Sequence, residues 1–99
     1  MDDINVAELK ERIANGEQLN IVDVREDWEH AEANIAGSTL IPLGDLPGRL
    51  GELDSLKDAE LIVHCKSGGR SGRAKQYLTG QGFSKVRNLL GGMDEFSQS

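Results

Sequence analysis

Glu60-Leu61-Ile62-Val63-His64-Cys65-Lys66-Ser67-Gly68-Gly69-Arg70-Ser71 is the stretch that decides how the chain is read. An unbroken apolar run from Leu61 to Val63, bounded by polar residues, is the pattern of a short strand buried on both faces, as in a parallel sheet. Cys65 falls where that strand runs out. The next regular pattern begins near Ser71, carries Ala74, Tyr77 and Leu78, and has helical spacing. The glycine-rich residues between them therefore join a strand tip to a helix N-terminus.

Upstream, Asn20-Ile21-Val22-Asp23-Val24 is a second short β-branched strand, and Arg25 through Ala33 turns to a helix-compatible pattern, which makes a βα unit. Before it, Val6, Leu9 and Ile13 recur at helical spacing after Asn5, a capping residue with Glu8 three positions on. A brief edge strand fits Asp3-Ile4. Thr39-Leu40-Ile41 reads as a further strand closed by Pro42, and the Leu-rich segment Asp45 to Leu56 supplies one or two helical turns. Downstream, Gly80 and Gly82 close the long helix. Lys85 to Leu89 is the last strand, and Gly91-Gly92 precede a terminal helix with Met93 and Phe96. This alternation predicts an α/β fold with a mostly parallel central sheet and helices on both faces. In such sheets ligands bind beyond the carboxyl ends of the strands, where Cys65 falls.

The chain has 99 residues, enough for one core and too few for two, so residues 1–99 are expected to form a single domain. Cys65 is its only cysteine, which excludes an internal disulfide framework and a thiolate-rich zinc site and suits a reducing compartment. No metal or cofactor is expected. No apolar run approaches the roughly 20 residues needed to cross a bilayer, and the N-terminus has no signal-like segment. The expectation is a soluble, cytoplasmic monomer without membrane partners. A net charge of −6 repels nucleic-acid phosphates, while Lys66, Arg70, Arg73 and Lys75 gather near the cysteine and suit a small anion.

A lone cysteine after an apolar strand is ordinarily a small buried hydrophobe. Here Gly68, Gly69 and Ser67 let successive amides turn inward as an anion-binding nest, and the following helix adds its positive end. Both favour the thiolate, the nucleophilic form. Arg70 is expected to reach an anionic substrate or a carboxylate such as Asp23, and Ser71 to cap the helix or bond the thiolate. Asp23 and Arg25 read as a structural salt bridge. His64 neighbours Cys65 but points to the opposite strand face, His30 reads as a surface or packing residue, Trp28 as core or interhelix packing, and Glu26, Asp27 and Glu29 as a solvated first-turn face.

The segments Asp23-Val24-Arg25-Glu26, Glu29, Ile35-Ala36-Gly37, Val63 to Ser71, Gly80-Gln81-Gly82-Phe83 and Leu90-Gly91-Gly92, in this order and spacing, closely resemble the rhodanese-like sulfurtransferase family. The loop is most similar to the rhodanese domain attached to adenylating enzymes. The resemblance implies a rhodanese-like fold with a five-stranded sheet, Cys65 as the persulfide-forming nucleophile, and Lys66, Ser67, Gly68, Gly69, Arg70 and Ser71 as its cradle. It further implies thiosulfate or a protein persulfide as donor and cyanide or a thiol as acceptor. Asn34, Ala36 and Phe96 stand where the family often has histidine, proline and tryptophan, changes that touch packing rather than the nucleophile. Two other functions compete: a sulfur carrier or interaction module in a relay, and a phosphatase or arsenate reductase. The phosphatase pattern has five residues between cysteine and arginine, against four here, and the shorter loop suits a single sulfur better than a phosphoryl group.

Overall fold

Ile21–Asp23, Leu61–His64 and Val86–Asn88 form the heart of the sheet, each buried along its whole length, while Thr39–Leu40 lies partly exposed at the edge. The computed structural model describes residues Met1 to Ser99. The strands are β1 (Ile21–Asp23), β2 (Thr39–Leu40), β3 (Leu61–His64) and β4 (Val86–Asn88), and the helices are α1 (Val6–Ala14), α2 (Asp27–Glu32), α3 (Gly69–Gly80) and α4 (Gly92–Gln98). Two 3₁₀ segments, Leu43–Asp45 and Pro47–Leu56, link β2 to β3. The sheet order is β2-β1-β3-β4, and every pair is parallel, with Ile21 opposite Ile62 and Leu61 opposite Val86.

The expected fifth strand is reduced to one parallel bridge, Ile4 to Leu89. Ile4 donates to Asn88 O at 3.1 Å and accepts from Leu90 N–H at 2.9 Å, but α1 begins two residues later. Asn5 accepts from Glu8 N–H at 2.7 Å and so starts that helix before the edge strand can lengthen.

Alternation along β3 divides the core. Leu61, Val63 and Cys65 pack with Leu46, Leu53, Ala74, Leu78 and Phe83 on the face covered by α3 and the 3₁₀ segments. Ile62 packs on the other face with Ile4, Val6, Leu9, Ile35, Leu89 and Met93, beneath α1 and α4. Burying a side chain of this size contributes roughly 1.5–3 kcal/mol, so a sheet covered on one side alone would forfeit half its driving force. Met93 and Phe96 cover the second core as expected, but Trp28 does not enter either and is 67% exposed.

Away from the carboxyl edge, Arg87 of β4 pairs with Glu8 at 3.0 Å and Glu60 at 2.9 Å, and Glu60 pairs with Arg12 at 2.6 Å. This network ties α1 to the central strands. No helix is long and apolar enough to cross a membrane.

Candidate active site

Cys65 leaves β3 into a loop that doubles back on its own sulfur. Gly68 makes the reversal possible: its φ is +116°, which side chains rarely tolerate, and it caps α3. Gly69 opens the helix with ordinary backbone and open space around it, so only one of the two loop glycines is required by conformation. Gly68 N–H donates to Cys65 Sγ at 3.1 Å, and Ser71 Oγ lies 3.3 Å from the same sulfur. Ser71 is not the helix cap but a fully buried residue of its first turn.

Cys65 is only 1% exposed, yet it does not behave as an apolar residue. Burial alone pushes its thiol up; hydrogen bonds from the Ser71 side chain and from the Ser71, Gly68 and Ser67 amides outweigh that and hold it below the ordinary thiol value. Asn88, at the end of β4, completes the cradle: its Oδ1 accepts from Ser71 Oγ and its Nδ2 donates to Gly68 O at 3.2 Å. The Ser71 hydroxyl has one proton for two acceptors.

The loop is clamped from behind by the start of α4. Met93 N–H donates to Cys65 O and Asp94 N–H to Lys66 O, both at 2.9 Å. Gly92 permits the approach, since a Cβ there would stand 2.6 Å from both carbonyl oxygens.

Arg70 does not reach Asp23. Its guanidinium grips Glu29 of α2 with two parallel bonds, Nη1 to Oε1 at 2.7 Å and Nη2 to Oε2 at 3.0 Å. Glu29 is therefore no solvated first-turn residue: it is 8% exposed, also accepts from Glu26 N–H at 3.0 Å, and is held down to about 2, chiefly by the Arg70 hydrogen bond. Arg70 is raised, first by Glu29 and in lesser part by the charge of Cys65.

Asp23 is fully buried and takes Arg25 Nε at 2.9 Å and Nη2 at 2.8 Å. Arg25 continues to Ala33 O at 2.7 Å, pinning the end of α2. His30 Nδ1 bonds the same carboxylate at 2.9 Å, so it anchors α2 to β1 rather than merely covering the surface. His64 shares this face; its Nε2 lies 3.9 Å from Asp23 Oδ2 and neither ring nitrogen is hydrogen-bonded. Burial holds it below the usual histidine value, against the pull of Asp23. The imidazole thus stays on the far side of the strand from the sulfur.

Of the basic residues expected around the thiol, Lys66 stands 3.8 Å from Asp94, and Lys75 turns away to Asp3 at 2.6 Å. Arg73 is exposed on α3. A cleft of about 340 Å³ opens beside the loop between α2 and α4, with Trp28, Glu32, Lys66 and Asp94 on its walls. Sequence reasoning gave Asn88, Glu29 and His30 no part in the site. The available signal for Asn88 was an amide closing an otherwise apolar strand at the carboxyl edge.

Fold and site together define a parallel α/β domain whose single thiol is held below its ordinary pKa by backbone amides and a hydroxyl. The chain belongs to the rhodanese-like domain family, whose model matches residues 5–99. It is 45% identical to the putative sulfurtransferase YtwF of Bacillus subtilis (strain 168), over 92% of this chain and 85% of that protein. It is 34% identical to a sulfurtransferase of Allochromatium vinosum, over 94% of this chain and 85% of that one. The crystal structure of SSP1007 from Staphylococcus saprophyticus superposes with a TM-score of 0.83 at 42% identity, covering 97% of this chain and 93% of that chain.

Proposed function

We propose that the protein is a sulfurtransferase of the rhodanese type, taking sulfur from thiosulfate or a protein persulfide through a persulfide on Cys65. The Cys65 thiolate attacks the outer sulfur of thiosulfate or of a protein persulfide; the S–S bond breaks, and sulfite or the donor thiolate leaves with the electron pair. An acceptor thiolate or cyanide then attacks the terminal sulfur of the Cys65 persulfide, takes it away, and restores the thiolate. No cofactor enters this cycle, because bond-making and bond-breaking sulfur carry all the electrons.

The observation that carries the reading is the pair of donors on a buried sulfur, Gly68 N–H at 3.1 Å and Ser71 Oγ at 3.3 Å. Such donors stabilise negative charge in the low-dielectric interior without reorganising during the reaction. Lys66 and Gly69 complete the loop that aims them. The names of the relatives point the same way. Phosphoryl transfer is disfavoured, since Arg70, the group that would answer phosphate oxygens, is occupied by Glu29.

The test is intact-mass analysis after incubation with thiosulfate or a persulfidated protein, with Cys65→Ser as control. A gain of one sulfur atom on the native chain alone, removable by cyanide, is expected. No gain from either donor refutes the reading. Phosphate release from an aryl phosphate without persulfide formation would replace it with the phosphatase.

A further inference from the structure

The arginine of the active loop is already paired before any substrate arrives. Arg70 is bound to Glu29 by two bonds at 2.7 and 3.0 Å, whereas Lys66 stands exposed at 3.8 Å from a half-exposed Asp94, a surface pair of little strength. Just behind the loop, Arg25 is consumed by Asp23. Arg73, the remaining cation on the first turns of α3, is exposed to water and screened accordingly. Glu29 is moreover fixed on its own account: it is nearly buried, and the Glu26 amide holds one of its oxygens at 3.0 Å. Such a bidentate pair is strong and directional, so a dianion entering the loop meets the amides without that guanidinium unless it breaks the pair.

We propose that Glu29 sets donor specificity: by pairing the charge of Arg70 it tunes the site toward a sulfane sulfur carried as an organic persulfide, with at most one negative charge, over the dianion thiosulfate. This rests on the sulfurtransferase reading above and names its substrate class. The balanced step is attack of the Cys65 thiolate on the outer sulfur of R–S–SH; a new S–S bond forms to Cys65, the old one breaks, and R–S⁻ leaves with the electron pair. The amide cradle then holds a single charge before and after transfer. With thiosulfate the site must at one moment hold the thiolate, or its persulfide, beside a doubly charged partner, and only the exposed, solvent-screened Lys66 is placed to offset it. Glu29 is a positioning residue here. It acts through Arg70 and touches no reacting atom.

Initial rates of persulfide formation on Cys65, read by intact mass over a range of donor concentrations, separate KM from kcat. The donors are thiosulfate, the persulfide of N-acetylcysteine methyl ester, and serum albumin persulfidated at its free thiol, the last two separating a small carrier from a protein one. In the native chain the KM for thiosulfate is expected to exceed that for at least one persulfide by about tenfold or more, the scale of one lost charge-assisted hydrogen bond. Glu29→Gln keeps the oxygen that receives Glu26 N–H and Arg70 Nη1 but removes the negative charge and the second acceptor, and is expected to lower the thiosulfate KM by about tenfold while lowering neither persulfide KM. Glu29→Asp, which keeps the charge but shortens its reach, should give a smaller gain. The proposal is overturned if the native chain takes thiosulfate as tightly as both persulfides, or if Glu29→Gln changes all donors alike or only kcat. The native-chain comparison stands even if the variant folds poorly. If no donor loads Cys65, the sulfurtransferase reading itself fails; if donors load it without this selectivity, only the assignment to Glu29 fails.

Discussion

Replacing Ser71 by alanine removes the one neutral side chain that reaches the sulfur, and its effect can be worked from the geometry. The hydroxyl stands 3.3 Å from Sγ, is fully buried, and heads the interactions that hold the thiol below its ordinary value against the cost of burial. A hydrogen bond to a charged group contributes about 1.5–3 kcal/mol, and every ~1.4 kcal/mol is a factor of ten. Below the titration midpoint, Ser71→Ala should therefore cut the thiolate fraction by roughly twelvefold to a hundred and fiftyfold. The more basic sulfur is also more nucleophilic, with a Brønsted slope of about 0.4–0.5. That recovers about threefold to tenfold, so persulfide formation should slow by about four- to fifteenfold.

The assay is alkylation of Cys65 by iodoacetamide as a function of pH, followed by intact mass on protein shown to be folded by circular dichroism. The midpoint of the rate profile should move up in Ser71→Ala. Above both midpoints the variant should react faster than the native chain, because every sulfur is then ionised and the variant's is the stronger nucleophile. A crossing of the two curves is a sharp signature. A midpoint that stays put or moves down refutes the assignment of Ser71 as a thiolate donor. Uniform slowing at every pH refutes it as well, by showing that the substitution altered access rather than ionisation.

Gly92→Ala should dislodge the loop, because its Cβ would lie 2.6 Å from Cys65 O and Lys66 O at a φ of +54°; a loss of at least about 1–3 kcal/mol in urea unfolding is expected together with lost sulfur transfer, and an unaltered variant would show that α4 does not clamp the loop. Asp23→Asn leaves the Arg25 guanidinium, 4% exposed, facing a neutral amide and should cost about 3–5 kcal/mol by the same measurement; a change under about 1 kcal/mol would mean the pair behaves as a surface ion pair. Acid should act through Glu29 and Glu60, both held down to about 2 from the ordinary 4.5 by Arg70 and Arg12 respectively. Since their folded values are depressed, the stability they contribute is complete above 4.5 and is lost as pH falls from there toward 2; the thermal midpoint should drop over that window, and a flat profile across it would contradict the pairing.

Strands β1 and β3 and the loop after β3 were legible because their determinants are contiguous: an apolar run announces burial on both faces, and a cysteine followed by Ser67-Gly68-Gly69 announces a nest within a few residues. The partner of Arg70 was not legible, for Glu29 lies 41 positions away and Asp23 stands on the same edge with the same charge. What distinguishes them is that Arg25, next but one to Asp23, closes on it locally and leaves Glu29 for the loop. Asn88 escaped for the same reason, its role existing only once β4 lies beside the loop. Trp28 shows the limit of hydrophobicity as evidence, since apolar residues are permitted at the surface. The fifth strand failed because a cap one residue on from Ile4 committed the chain to α1.

That the sulfur is held by dipoles, with the loop arginine paired, suits the proposed persulfide cycle. Thiolate and persulfide each bring one negative charge to the same place, the second merely one bond further out. Fixed amides from Gly68 and its neighbours bear no charge of their own, so they favour both states without binding either so strongly that sulfur cannot leave. A bare guanidinium would discriminate by charge: it would strengthen the hold on a dianionic donor and on departing sulfite alike, slowing release as it aided entry. Pairing Arg70 with Glu29 removes that bias while retaining the arginine as a strut between α2 and the first turn of α3. On the proposed reading, the carboxylate of α2 belongs to the loop's chemistry together with the residues that follow Cys65 in sequence.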